Sequence, residues 1–564
     1  MSKQKKATDY SPPHDALWFL PLGGSGEIGM NLNLYGTGGK WLMIDCGVSF
    51  GDDTTPGIDL LMPDISFIEA RRDDLVGIVV THAHEDHYGA LSHLWHKLQC
   101  PIYATPFTAG LIRARLVEAD LQGKARIKEL PLNGGFQLGP FDVKLIHVTH
   151  SIPESSMLAI ETPVGRVLHT GDYKFDPTPL VGQPTNFEAL RAFGQKGVLA
   201  LVGDSTNAPV PGRTGSEVDV LRHFTEMFSR LNRRIVVTCF SSNITRLQTA
   251  YKAAKANKRA FGLVGRSMWR NAEIAYECGY LPEFNDFLSD SEIMHLAPSE
   301  VVIACTGSQG EVKSALSRIA AGDHPEVDLD PGDHVIFSSR DIPGNEKAIA
   351  RLQNALMFAK IHVLTDENEP GVHVSGHAAR DEIAELYQII RPQISVPVHG
   401  ELRHQKAHID IAESCQTRAH IIPDNGQLIQ LTPGQPHVVT EVESGLWGVD
   451  GKVLRPMKRG AVQDRRKLSY SGVAIASIVL DRAGRLLDHP QVTFVGITDR
   501  DAPEDAKLRE EAAEEIVAAL EQMPKSARLD DNAIKNMAGQ ALRKLLNTAF
   551  AKRPMLEIHV SRVV

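Results

Sequence analysis

The sequence predicts a mixed α/β protein of several domains, and three observations carry that prediction. The chain has 564 residues, more than one hydrophobic core usually organises. From Leu17 to about residue 205, short β-type runs alternate with Gly-rich turns. Beyond "PVPGRTGSE", longer helical stretches alternate with buried strands, the rhythm of a parallel α/β domain. With 42% hydrophobic and 23% charged residues, the composition is that of a globular protein rather than a disordered chain. A formal net charge of -9 excludes nucleic-acid binding by bulk electrostatics and leaves room for a local basic channel. The start, "MSKQKKATDYSPPHDAL", has no apolar core of a signal peptide, and no later run stays apolar long enough to span a bilayer, so a cytoplasmic protein with no membrane partner is expected. The six cysteines are scattered with no CxxC pair, and neither disulfides nor cysteine-bound zinc is expected.

Taken in order, residues 1–15 read as a flexible tail and 16–208 as the first domain. Its runs "WLMIDCGV", "LVGIVVTHA", "FDVKLIHVTH", "RVLHTGDY" and "VLALVGDST" each end in polar residues, the way a rigid strand scaffold presents chemistry on its loops. Helix "SEVDVLRHFTEMFSRL" before strand "RIVVTCFSS", and "NITRLQTAYKAAKANK" before "RAFGLVG", define a second domain at 209–360. Histidine-rich loops return in "GVHVSGHAARDEI" and "ISVPVHGELRH", so the first domain resumes over 361–455 and the second is an insertion. "PMKRGAVQDRRKL" lacks periodicity and reads as a linker over 456–468. Residues 469–564 form a small α+β domain without catalytic clusters, for which assembly is the expected role.

"THAHEDHYGA" places His82, His84, Asp86 and His87 in the loop after a buried strand. Neutral imidazole and carboxylate suit zinc and manganese, and more ligands than one tetrahedral ion needs imply two ions. Further candidates end other strands: His150 in "VTHSIPES", Asp172 in "HTGDYK" and His399 in "PVHGE". Asp172 can bridge two ions through its two oxygens, and Asp45 in "LMIDCG" is placed to orient ligands from behind. Glu85 and Tyr88 are expected to be dispensable for metal, while His93, His96, His324, His334, His404 and His408 read as ordinary packing or surface residues. Asp52, Asp53 and Asp59 read as an acidic turn. "GGSGEIG" precedes the strand-like "NLNLYG" rather than a helix, which removes a dinucleotide reading.

HxHxDH, a lone histidine, then GD after a strand resembles the metallo-β-lactamase superfamily. The resemblance implies an αββα sandwich in which His82, His84 and His150 hold one metal, Asp86, His87 and His399 the other, and Asp172 both. "LVGDSTNA" with Asp204, "HVSGHA" with His377 and "PVHGE" with His399 resemble the three motifs of the β-CASP nucleases, where a histidine at the third accompanies RNA substrates. "GGSGEIGMN", "GIDLLMPD", "SSNITRLQ" and "CTGSQGE" extend the likeness, from about Leu17 onward, to the bacterial ribonuclease J family. The fold so implied is an αββα metallo-β-lactamase sandwich with an inserted β-CASP α/β domain and a small C-terminal α+β domain.

The resemblance further implies two divalent ions per subunit, Zn²⁺ first and Mn²⁺ or Mg²⁺ as alternatives, serving 5'-to-3' exonuclease and endonuclease action on 5'-monophosphorylated single-stranded RNA. His377, Asp172 and Asp86 would act in catalysis, with Asp204 supporting them. Ser242, Asn243 and Ile244, together with His373, Val374, Ser375, Gly376 and His377, would contact the nucleotide. A homodimer or homotetramer, working with other RNA-decay proteins, is also implied. The rival readings are a small-ester or thioester hydrolase and a non-catalytic RNA-binding subunit.

Overall fold

The computed structural model describes residues 10–52 and 54–563. The chain forms two compact units: residues up to Phe50 with Leu60–Leu446, and Gly51–Asp59 with Trp447–Val564.

Two sheets dominate the first unit. One has eight strands, in the order His437–Glu441, Gln427–Thr432, Leu17–Gly23, Leu32–Thr37, Lys40–Ile44, Leu75–Val79, Ile102–Ala104 and Ile127–Glu129. The other has seven, in the order Ala419–His420, Ile394–Val398, Ala200–Asp204, Gly165–His169, Ser156–Thr162, Phe141–His147 and Gly135–Leu138. Their strands carry apolar residues on both faces because each sheet is covered twice. Leu17, Phe19, Tyr35, Leu42 and Val79 of the first sheet pack against Val143, Leu145, Leu158, Val167, Val202 and Val396 of the second. Outside the second sheet, Ile146, Met157 and Leu168 meet Leu190, Phe193, Ile383, Leu386 and Ile411 of helices Phe187–Gln195, Arg380–Ile390 and Leu402–Ser414. Helices Leu91–Leu98 and Pro106–Glu118 bury Leu94, Trp95, Leu111 and Ile112. This is the expected αββα sandwich.

The inserted domain is a five-stranded sheet, parallel throughout, in the order Ala260–Val264, Val301–Cys305, Ile235–Thr238, His334–Phe337 and His362–Leu364. Helices supply its crossovers, as parallel pairing requires. The sandwich strands on either side of the insertion, Ala200–Asp204 and Ile394–Val398, are parallel neighbours in register Ala200↔Ile394 to Asp204↔Val398.

In the second unit, strand Val473–Leu480 lies between Gln491–Val495 and Met555–Arg562. Ala474, Ile478 and Phe494 pack on Ile516, Leu520, Leu542 and Leu546 of helices Pro503–Glu521 and Asp531–Phe550, an α+β layer.

Three stretches differ from the sequence reading. Strand His362–Leu364, expected in the resumed first domain over 361–455, instead pairs with His334–Phe337 as the edge of the inserted sheet, so that domain runs past residue 360. Residues 1–9 lie outside the described residues, but Tyr10–Asp15 are packed rather than free: Gly38 and Gly39 donate to the carbonyls of Pro13 and Pro12, and the Tyr10 ring lies 5.8 Å from Phe67. The expected linker contains a helix, Ala461–Ser471, whose Arg465 pairs with Asp450 at 2.7 Å. Val462 is its only buried residue, so no apolar stripe announces it. Asp52 accepts from the N–H and hydroxyl of Thr54, an ordinary acidic turn, while Asp53 lies outside the described residues. Among the described residues no helix is long and apolar enough to cross a membrane.

Candidate metal centre

Every ligand-type residue of the centre follows the C-terminal end of a strand. His82 and His84 follow Leu75–Val79 in extended backbone, which aims alternate side chains the same way, and helical turn Glu85–Tyr88 brings Asp86 and His87 back. His150 follows Phe141–His147, Asp172 follows Gly165–His169, and His399 follows Ile394–Val398. Both sheets therefore contribute.

The side chains converge. His84 Nδ1 lies 3.1 Å from both His82 Nε2 and His150 Nε2. Asp172 Oδ2 lies 3.6 Å from His82 Nε2, 3.8 Å from His150 Nε2 and 3.2 Å from His87 Nε2. His399 Nε2 lies 3.1 Å from Asp86 Oδ2 and 3.8 Å from Asp172 Oδ1. Two groups result, His82–His84–His150–Asp172 and Asp86–His87–Asp172–His399, each with its ligand atoms within 4.8 Å of one another. Ligands at ~2.0–2.1 Å around a tetrahedral zinc stand about 3.3 Å apart, so the spacing matches a shared central ion.

The outer hydrogen bonds fix which nitrogen faces inward. His150 Nδ1 donates to the Gly376 carbonyl at 2.6 Å and His87 Nδ1 to Asp45 Oδ2 at 2.7 Å. The Thr81 hydroxyl donates to Asp45 at 2.9 Å and accepts from His82 Nδ1 at 3.0 Å. Thr206 does the same between Asp204 Oδ1, at 2.7 Å, and His399 Nδ1, at 2.7 Å. Four imidazoles thus turn Nε2 toward the centre, those of His82 and His150 as bare lone pairs, and Asp172 Oδ1 is buried without a hydrogen-bond partner. Such an arrangement calls for positive charge at its centre, and the donor set fits divalent cations.

Electrostatics point the same way. Burial holds His82 and His150 well below the ordinary histidine value and His84 at about 4, so all three are neutral and ready to ligate. Burial alone would raise Asp172 and Asp86, but His399 and His87 outweigh it and keep both ionised. His87 is itself raised against the effect of burial by Asp172, Asp86 and Asp45, a pocket of carboxylates that attracts any cation.

A second loop closes on this centre. His377 Nδ1 donates to Asp204 Oδ2 at 2.8 Å, and its ring lies 5.2 Å from that of His150 and 5.6 Å from that of His399. Burial lowers His377, but Asp204 and then Asp172 reverse the effect and leave it raised. Gly376 has to be glycine, since a Cβ there would come within 2.6 Å of His150 Cε1. The Ser375 hydroxyl oxygen accepts from Asn207 Nδ2 at 2.9 Å and from the His377 N–H at 3.3 Å, leaving its own proton to give.

Four family models match the chain in series: the metallo-beta-lactamase superfamily at residues 30–222, the ribonuclease J beta-CASP domain at 232–356, the Zn-dependent metallo-hydrolase RNA specificity domain at 366–421, and the ribonuclease J C-terminal domain at 460–563. A ribonuclease J from Sinorhizobium meliloti is 39% identical over 100% of both chains. The chain belongs to the ribonuclease J family. It is thereby a member of the metal-dependent metallo-β-lactamase/β-CASP nucleases. Family members from Mycolicibacterium smegmatis, 35% identical over 95% of each chain, and Helicobacter pylori, 34% identical over 96% of this chain and 78% of the other, are also similar. A crystal structure of a protein of unknown function from Enterococcus faecalis shares the fold, with a TM-score of 0.52 and 16% identity over 74% of this chain and 100% of that one.

Set against the family's motifs, the side chains read as polar from sequence divide sharply. Glu85 accepts from Arg115 and from the Tyr88 hydroxyl, and so faces away from the ligands. Asn243 caps helix Ile244–Ala256 by accepting from the Arg246 N–H at 2.9 Å. Ile244 is fully buried and gives its N–H to the Ser242 carbonyl, so it presents neither group to a ligand. Among the described residues no hydrogen bond joins Ser242 to the loop 373–377. The connection runs instead through Arg246, which sequence reading passed over, as it did Thr81, Thr206 and Asn207. The threonines and Asn207 stand directly beside motif residues, which was the available signal.

Proposed function

We propose that this chain is a two-metal ribonuclease of RNA maturation and decay, acting 5' to 3' on 5'-monophosphorylated single-stranded RNA and also cutting internally. One observation carries the reading: the Gly376 carbonyl accepts from ligand-type His150 while the ring of the adjoining His377 lies 5.2 Å from that of His150 and 5.6 Å from that of His399. The loop suited to phosphate and the loop suited to metal are thus one piece. His82, His84 and His150 would hold one ion, Asp86, His87 and His399 the other, and Asp172 would serve both, with Zn²⁺ the first choice and Mn²⁺ or Mg²⁺ the alternatives.

When bound, the ions supply a water deprotonated near neutral pH and positive charge at the phosphoryl oxygens. His377, its Nδ1 engaged by Asp204, offers Nε2 to the leaving 3'-oxygen and delivers a proton there. Ser375 and His373 donate to the phosphate, and Asp204 keeps His377 charged and oriented. A terminal monophosphate gripped at that distance gives stepwise release of nucleotide monophosphates, and without the grip the same residues serve internal cleavage. A triphosphate, larger and more charged, enters poorly. We place the enzyme in the cytoplasm as a homodimer or homotetramer, on family likeness.

The test is to incubate the protein and a His82→Ala variant with 5'-monophosphate RNA, 5'-triphosphate RNA, single-stranded DNA and a thioester, in Mn²⁺ or Zn²⁺. Mononucleotide release from the first substrate by the parent protein alone is expected. Thioester turnover without RNA degradation overturns the proposal.

A further inference from the structure

We propose that Arg246 is a positioning residue of the 5'-phosphate site, holding His373 in the tautomer whose Nε2–H is offered to the terminal phosphate. The inference rests on the phosphate-binding reading above and deepens it.

Arg246 has 0% exposure, yet lies on the helix that begins at "SSNI" and reaches the "HVSGHA" loop. Its charge is matched by Glu217, which accepts from Nη2 at 2.8 Å and from Nε at 3.2 Å. That pairing leaves Nη1 for the loop, where its two N–H groups are shared among the Ser338 carbonyl at 2.9 Å, the Ser338 hydroxyl, the Val372 carbonyl at 3.4 Å and His373 Nδ1 at 3.3 Å. Ser338 ties the same strand end to the loop by donating to the Val372 carbonyl at 2.6 Å.

A guanidinium has five donors and no acceptor, so His373 Nδ1 facing it must carry the lone pair. The other tautomer would set N–H against N–H, with the Ser338 carbonyl, already engaged by Arg246 at 2.9 Å, as its alternative acceptor. The ring proton is therefore on Nε2, which is buried and has no hydrogen-bond partner among the described residues. A buried N–H without an acceptor is rare in folded proteins and marks the place of a missing one. The acceptor is an anion rather than a metal ion, because the neighbouring guanidinium repels cations. Burial and Arg246 together hold His373 well below the ordinary histidine value, so the ring stays neutral and a single donor is fixed. Two residues along the loop, Ser375 has its own proton to give, and the two donors together suit the oxygens of one phosphate.

The experiment measures degradation of one RNA bearing either a 5'-monophosphate or a 5'-hydroxyl, by the full-length, metal-loaded protein between pH 6 and pH 8. Two variants are compared: Arg246→Met with Glu217→Gln, which removes donor and counter-charge together, and Arg246→Lys, which keeps the charge but lacks the fork that reaches Glu217 and His373 at once. The parent protein should prefer the monophosphate at every pH. The double variant and Arg246→Lys should lose about tenfold or more of that preference at pH 8, the size of one hydrogen bond to a charged group. They should regain part of it toward pH 6, because a protonated imidazole carries N–H on both nitrogens. A merely structural role for Arg246 would not produce that recovery. An unchanged preference in folded variants, judged by thermal melting, overturns the role of Arg246 alone, and if the double variant does not fold, Arg246→Lys decides. No preference in the parent protein overturns the phosphate-binding reading itself, and this inference with it.

Discussion

Asp172 belongs to all three ligand-type groups of the centre, the third being Asp172–Asp204–His377–His399, so its replacement should be felt at each. Asp172→Asn is expected to empty the centre and abolish RNA cleavage, and undiminished metal per chain by elemental mass spectrometry would count against a bridging role. Asp45 acts one bond further out, through His87 and Thr81, and Asp45→Asn should weaken metal affinity by about 10- to 100-fold in a chelator competition. Asp204 raises the proton affinity of His377, so His377 keeps its proton to higher pH than a free imidazole and loses it as pH rises through its raised value. Asp204→Asn removes that support, and the alkaline limb of the rate profile should move to lower pH. A limb that stays put or moves upward would remove His377 from the role of proton donor. Glu85→Gln, by contrast, should leave metal content unchanged, since Glu85 faces Arg115.

Elements built around one atom-to-atom fit should tolerate least. Gly376→Ala brings a methyl group within 2.6 Å of His150 Cε1, a clash with a ring that cannot retreat without leaving the ligand cluster. Overpacking of this kind costs about 1–3 kcal/mol, and calorimetry should show the loss in both metal-loaded and metal-free protein. The same elements show what a sequence discloses. The sandwich, the inserted parallel sheet and the C-terminal α+β layer were legible because buried strands and amphipathic helices leave strong periodicities. The ligand loops were legible because histidines at alternate extended positions are rare outside metal sites. Helix Ala461–Ser471 was not, because Val462 is the only side chain it buries and Arg465–Asp450 pairing, which periodicity does not register, holds it. Arg246 was illegible for a related reason. A charged residue on a helix is read as solvated until a counter-charge such as Glu217, on another helix, is found buried beside it.

At the scale of the whole molecule, the assembly role assigned to the C-terminal domain is open to a direct measurement. Removing residues 472–564, which leaves helix Ala461–Ser471 whole, should lower the mass found by light scattering to that of a smaller oligomer. An unchanged mass would transfer assembly to the rest of the chain. The register of Ala200–Asp204 against Ile394–Val398 has a consequence for how the protein is made. A ribosome releases His82, His84, His150 and Asp172 first, and His399 only after the whole inserted domain has been translated. At about 5–20 residues per second, that interval lasts on the order of ten seconds or more. One half of the ligand set can therefore gather early, while the half that needs His399 waits for the strand that carries it. A nascent chain, still tethered to the message that encodes it, holds an incomplete ligand set until about seven tenths of its length has emerged.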